Sequence, residues 1–154
     1  EPDSVLVPLC GRSFDLRWLA EQGLQVVGIE SSRRVIGKFA GEQGYELHAG
    51  DQNPEHSKLT AWFAGPCTIY EGDIFDATPG ALGGQLELAY DFQALSVIEP
   101  ARRLEYATTL TTLLGPGSRI LVIAPEFDEA SLDASVTVLG PHSMCLHDLE
   151  QLFP

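Results

Sequence analysis

The chain has 154 residues, of which 44% are hydrophobic and 20% charged, and a formal charge of −13. That length suits one globular domain, residues 1–154, able to bury about 70% of its unfolded surface. Its nine Lys and Arg residues form no stripe, which argues against a nucleic-acid backbone as partner, and no apolar run approaches the ~20 residues that span a bilayer.

In chain order, five short apolar runs alternate with helical periodicity. Ser4–Val7, Val26–Ile29, Thr68–Tyr70, Leu86–Tyr90 and Ile120–Ala124 read as strands, and their near-continuous hydrophobicity is that of parallel strands covered on both faces. Between the first two, Phe14, Leu16, Leu19 and Ala20 fall on one helical face, Asp15 sits in the first turn, and Gly23 ends the helix. A second helix starts at Ser31 or Ser32 and buries Val35, Ile36 and Phe39. The polar segment Glu46–Gly65 reads as a long excursion without elements of its own. A third helix follows Pro100, carries Leu104, Ala107, Leu110, Leu113 and Leu114, and stops at Gly115-Pro116-Gly117. A last helix runs from about His147 to Phe153.

Strands alternating with helices predict a doubly wound, mainly parallel α/β sheet. Ligands of such sheets bind outside the carboxyl ends of the strands, so site residues are sought just after each strand. The first strand is followed by Pro8-Leu9-Cys10-Gly11-Arg12-Ser13. Gly11 allows close backbone approach to a ligand, although a plain strand-to-helix turn has the same composition. The loop lacks the G-x-G-x-x-G pattern of a dinucleotide site.

Glu30 ends the second strand, where a carboxylate can accept both hydroxyl protons of a ribose; a solvated helix-start acid is the alternative. After the third strand, Asp73 can take an adenine amino group while Ile74 and Phe75 offer apolar surface to a base, or pack in the core. Asp91 and Phe92 follow the fourth strand, where the reacting end of the ligand would lie. A ribose acid without a diphosphate clamp favours S-adenosylmethionine (SAM) over a nicotinamide cofactor. Glu126 and Asp128 line a substrate mouth or an exposed loop.

Other residues carry blander readings. Cys10, Cys67 and Cys145 are odd in number and share no metal-type spacing, which predicts thiols packed as small hydrophobes in a reducing cytoplasm. His142 and His147, with Cys145 between them, match no standard metal site and read as surface histidines; no metal is expected. Trp18 and Trp62 read as packing residues. The chain opens at Glu1 and stops at Pro154 just after a helical pattern, which predicts a fragment.

The stretch VLVPLCGRSFDLRWLAEQGLQVVGIESS, then GDIFD, then YDFQALSVIEPARRLEYATTLTTLLGPGSRILVI together closely resemble the thiopurine S-methyltransferase family and related bacterial thiol, selenium and tellurite methyltransferases. The resemblance covers most of residues 4–128 and implies a Rossmann-like class I methyltransferase fold with SAM as cofactor. It implies that Leu9, Cys10 and Gly11 meet SAM, that Glu30 binds its ribose, that Asp73, Ile74 and Phe75 frame the adenine, and that Asp91 and Phe92 border the methyl donor. The sequence departs from the family in three ways. Phe92 stands where the family carries Arg, and Gly140-Pro141-His142-Ser143 replaces a GPPF stretch. The family's N-terminal segment and last two strands have no counterpart.

The leading expectation is therefore an enzyme, a cytoplasmic monomer that methylates a small thiol-type acceptor by in-line transfer, without nucleic acid or membrane as partner. A non-catalytic methyltransferase-like binding domain is the alternative that Phe92 motivates. A nicotinamide-dependent reductase is a third, disfavoured by the missing glycines.

Overall fold

The computed structural model describes residues 3–50, 58–128, 130, 132 and 140–153. Strands β1 (Ser4–Val7), β2 (Gln25–Glu30), β5 (Cys67–Glu71), β6 (Leu86–Phe92) and β7 (Leu114–Ile123) are the five that the apolar runs predict. All neighbouring pairs among these five are parallel. Helices α1 (Asp15–Glu21) and α2 (Arg33–Gln43) connect them on one side, and α5 (Arg103–Leu113) on the other. The described residues also form two four-residue helices, α3 (Pro79–Leu82) and α4 (Ala94–Val97), and a further helix α6 (Leu146–Leu152).

The excursion expected over Glu46–Gly65 is corrected. Its described part holds two further strands, β3 (Leu47–Ala49) and β4 (Thr60–Ala64), while residues 51–57 lie outside the described residues. Strand β4 pairs antiparallel with β5 across the two-residue turn Gly65-Pro66, with Ala64 opposite Cys67, and β3 pairs antiparallel with β4. These strands are short and half-buried, so neither alternation nor a continuous apolar run announces them. Among the described residues the sheet is thus seven-stranded and mixed, in the order β3-β4-β5-β2-β1-β6-β7.

Strand alternation divides the interior in two. Val5, Val7, Val26 and Ile69 point toward α1 and α2, where they meet Leu16, Leu19, Ile36 and Phe39. Leu6, Val27, Ile29 and Ala89 point to the opposite face and pack with Tyr106, Leu110 and Leu113 of α5. Ser32 caps α2, its hydroxyl accepting the Val35 N–H. Three side chains expected in the core lie outside it: Phe14, Trp18 and Leu104 are 70%, 57% and 66% exposed. Phe14 precedes α1 as its N-cap, so the buried helical stripe begins two residues later, at Leu16. Strand β7 begins directly after α5, earlier than Ile120, and Gly115-Pro116-Gly117 lies in an irregularity of its pairing with β6.

Strand order reverses at β1, which has β2 on one side and β6 on the other. The turn leaving β1 therefore opens at the crevice where doubly wound sheets bind ligands.

Candidate functional site

A cleft of ≈430 Å³ opens at the carboxyl ends of β1, β2 and β5. Leu9 contributes from the first turn, Glu30 and Ser31 from the end of β2, and Gly72 to Phe75 from the end of β5. Val97 and Ile98, at the end of α4, close the far wall. Among the described residues the cleft is lined by two carboxylates and by no Lys or Arg.

The floor is built from backbone. The Cys10 N–H donates to the Ile29 carbonyl at 2.9 Å, carrying the β1–β2 ladder past the end of β1. Leu9 (φ +47°) and Gly11 (φ +56°) are both left-handed, so the chain turns sharply there before α1. Glu30 is fixed at both oxygens: Oε2 accepts the Gly11 N–H at 3.2 Å and Oε1 accepts the Ser32 N–H at 2.8 Å. One carboxylate thus ties the β1 turn to the start of α2. Its backbone carbonyl accepts the Gly72 N–H at 3.1 Å. Gly72 has φ +150°, a backbone conformation that residues with a side chain rarely adopt, and a Cβ there would also displace Leu59 Cδ2.

At the next strand end Asp73 is exposed and caps the single turn Ile74–Asp76, its Oδ1 accepting the Phe75 N–H at 3.0 Å. Ile74 is buried. Phe75 presents one face to Arg102, whose Cζ lies 3.6 Å from the ring centroid. Arg102 is in turn held by Glu105, with bonds of 2.8 and 3.1 Å.

The end of β6 is arranged differently from expectation. Asp91 is fully buried, and its side chain turns away from the cleft. Oδ1 accepts the Leu95 N–H at 3.1 Å and Oδ2 accepts the Tyr106 hydroxyl at 2.8 Å. Burial pushes the Asp91 carboxyl above its usual range, against the lowering effect of Tyr106 and the Leu95 amide. Phe92 points to the other sheet face, is 47% exposed, and stacks on Tyr90 with centroids 6.3 Å apart.

Cys10 is buried, its Sγ seated over Gly28, where an added Cβ would lie 2.8 Å from the sulfur. Burial and the Glu30 charge push its thiol far up, so it is no nucleophile at neutral pH. Cys67 is also buried, its thiol pushed up to about 11. His142, expected at the surface, is buried; its N–H donates to the Ser96 carbonyl at 2.7 Å. Among the described residues no three His, Cys, Asp or Glu side chains converge as a metal site.

The structure thus brings Leu9, Glu30, Asp73, Ile74 and Phe75 around one cleft, with Cys10 and Gly11 beneath them, and turns Asp91 and Phe92 out of its lining. Sequence reasoning missed Val97, Ile98 and Arg102. Val97 ends a one-turn helix too short to show periodicity and Ile98 follows it, but both follow a strand end by a few residues, which is the available signal.

A family model described as thiopurine S-methyltransferase matches residues 1–145. Relatives named thiopurine S-methyltransferase include one from Bordetella petrii, 37% identical over 129 residues (84% of this chain, 57% of the relative). One from Pseudomonas fluorescens is also 37% identical, over 81% of this chain and 55% of the relative. One from Vibrio campbellii is 33% identical over 98% of this chain and 64% of its own length. This chain therefore spans little more than half the length of the first two.

Among solved structures, the plantazolicin methyltransferase BpumL, in complex with a triazolic desmethylPZN analog and S-adenosylhomocysteine (SAH), matches with a TM-score of 0.68 and 17% identity. That match covers 99% of this chain and 54% of BpumL. The glycopeptide N-methyltransferase MtfA, complexed with SAM, matches at 0.62 with 16% identity, over 86% of this chain and 52% of MtfA. The fold is that of class I SAM-dependent methyltransferases.

Proposed function

The chain belongs to the thiopurine S-methyltransferase family, and from that premise we propose that it binds SAM in the cleft and serves methyl transfer to a small thiol-type acceptor. A thiopurine-like thiol, or its selenium or tellurium analogue, is the acceptor class that the resemblance suggests. The observation that carries the reading is Glu30, an anchored carboxylate in the cleft wall at the end of β2. Its oxygens keep acceptor capacity beyond the two N–H bonds, which suits a ribose diol. Two carboxylates and no cation in the lining formed by the described residues disfavour a nucleotide diphosphate and suit a nucleoside whose tail carries a sulfonium. Ile74 and Phe75 supply the apolar surface for the base.

SAM, when bound, supplies a methyl group on a sulfonium whose sulfur leaves as a neutral thioether, so no leaving-group acid is required. The work left to the protein is positioning and exclusion of water. Glu30 anchors the nucleoside, Asp73 and Phe75 orient its base, and the β6–α4 turn borders the transfer end. The acceptor contributes its own thiolate, which an aromatic or activated thiol provides near neutral pH.

A cytoplasmic monomer with no nucleic-acid partner accords with the charge of −13 and with three free cysteines. Among the described residues no helix is long and apolar enough to cross a membrane. The second reading, a binding domain that has lost catalysis, is favoured by Phe92, which offers no charge to the methionine end of the cofactor. Transfer of labelled methyl from SAM to a panel of thiols and selenols tests the two. Turnover of any acceptor supports the enzyme; SAM binding without turnover supports the second reading.

A further inference from the structure

We infer that α5 is a strut that sets the geometry of the cleft, and that Tyr106, which lines no part of it, is a positioning residue for the nucleoside cofactor. The inference rests on the cleft being the SAM site. Helix α5 touches both ends of that cleft from one face, one helical turn apart. At its start Arg102 covers the Phe75 ring at 3.6 Å, behind the base end. Four residues on, Tyr106 donates its hydroxyl to Asp91 Oδ2 at 2.8 Å, beneath the transfer end.

The Asp91 contact reaches the cleft wall through the β6–α4 turn. Asp91 Oδ1 takes the Leu95 N–H at 3.1 Å, inside α4, and Val97, the last residue of α4, lines the cleft together with Ile98, which follows it. The turn before it needs holding, because Gln93 sits at φ +64°, a conformation costly for a residue with a side chain. Its N–H donates to the Ile123 carbonyl at 2.8 Å, and its carbonyl accepts the Ser96 hydroxyl at 2.7 Å. The Tyr106–Asp91 hydrogen bond joins this turn to α5.

Packing alone does not explain the pair. Tyr106 and Asp91 are both wholly buried among Leu95, Leu110 and other apolar side chains. A phenylalanine against an apolar residue would dock the helix without burying a carboxylate. What the hydroxyl and carboxylate add is direction, one hydrogen-bonded arrangement of the turn rather than several.

Tyr106→Phe keeps the ring and removes only the hydroxyl. Calorimetry with SAH, at a temperature where both proteins are fully folded, is expected to give a Kd about tenfold higher for the variant. Exchange of the Leu95 amide is expected to accelerate. A lower Tm with unchanged Kd would assign Tyr106 a purely structural role and overturn the inference. Should the variant fail to fold, Arg102→Gln tests the other end of the strut, where Kd is expected to rise roughly two- to fivefold with little change in Tm; an unchanged Kd there also overturns it. If the unmodified chain does not bind SAH, the functional reading fails. The strut then stands or falls on whether Leu95 exchange responds to Tyr106→Phe.

Discussion

Glu30 and Gly11, nineteen residues apart, are joined by a 3.2 Å bond from the Gly11 N–H to Glu30 Oε2, so the acid at the end of β2 also holds the turn that leaves β1. Replacing it therefore affects the empty protein as well as ligand binding. Glu30→Ala leaves the N–H groups of Gly11 and Ser32 without their acceptor and is expected to cost about 1–3 kcal/mol of stability, read from urea denaturation. A variant as stable as the parent would show that the carboxylate does not organise the turn.

Phe92→Arg restores the family's cation at the end of β6. Phe92 is half exposed and gives up only its stacking on Tyr90, so stability is expected to change by less than about 1 kcal/mol. Affinity for SAM is expected to rise about tenfold or more; an unchanged affinity would show that position 92, on the sheet face away from the cleft, does not reach the cofactor. Titration calorimetry of the two proteins makes the comparison.

Gly28→Ala is expected to be destabilising by about 1–3 kcal/mol, because the new methyl would meet Cys10 Sγ at 2.8 Å and Ile69 Cγ1 at 3.4 Å. Cys10→Ala in the same chain removes the sulfur and should recover part of that loss. Strict additivity of the two changes would argue that the sulfur is not what fills the space over Gly28.

Asp91 gives stability a pH dependence of definite sign. Its carboxyl titrates above the ordinary range when folded, chiefly through burial, so the folded state holds this proton more tightly than the unfolded chain. The contribution is full below the unfolded pKa and is lost as pH rises through the folded one. Measured from about pH 4 to about pH 7, the stability of the parent relative to Asp91→Asn should therefore decline. A constant or growing difference would contradict it.

How far the sequence carried the structure depends on the kind of signal. Strands such as Val26–Ile29 are buried on both faces, so their hydrophobicity alone marks them, and the strand ends they define carry Glu30, Asp73, Ile74 and Phe75, which line one cleft. The β3–β4 pair leaves little sequence signal because its strands, Leu47–Ala49 at the sheet edge and Thr60–Ala64 beside it, are only partly covered. Phe14 and Trp18 have the chemistry of core residues but stand exposed, which helical periodicity cannot distinguish. At the end of β6 sequence position indicated the place but not the direction. Asp91 faces α5 because strand alternation sets it on the same side as Ala89, and its partner Tyr106 is fifteen residues away on another element.

The most direct test is calorimetric titration of the chain with SAH, alongside NADH as a control. Saturable SAH binding, weakened at least about tenfold by Glu30→Ala, with no heat from NADH, is the predicted result. No SAH binding by the folded chain, or binding that Glu30→Ala leaves unchanged, would contradict the assignment of this cleft.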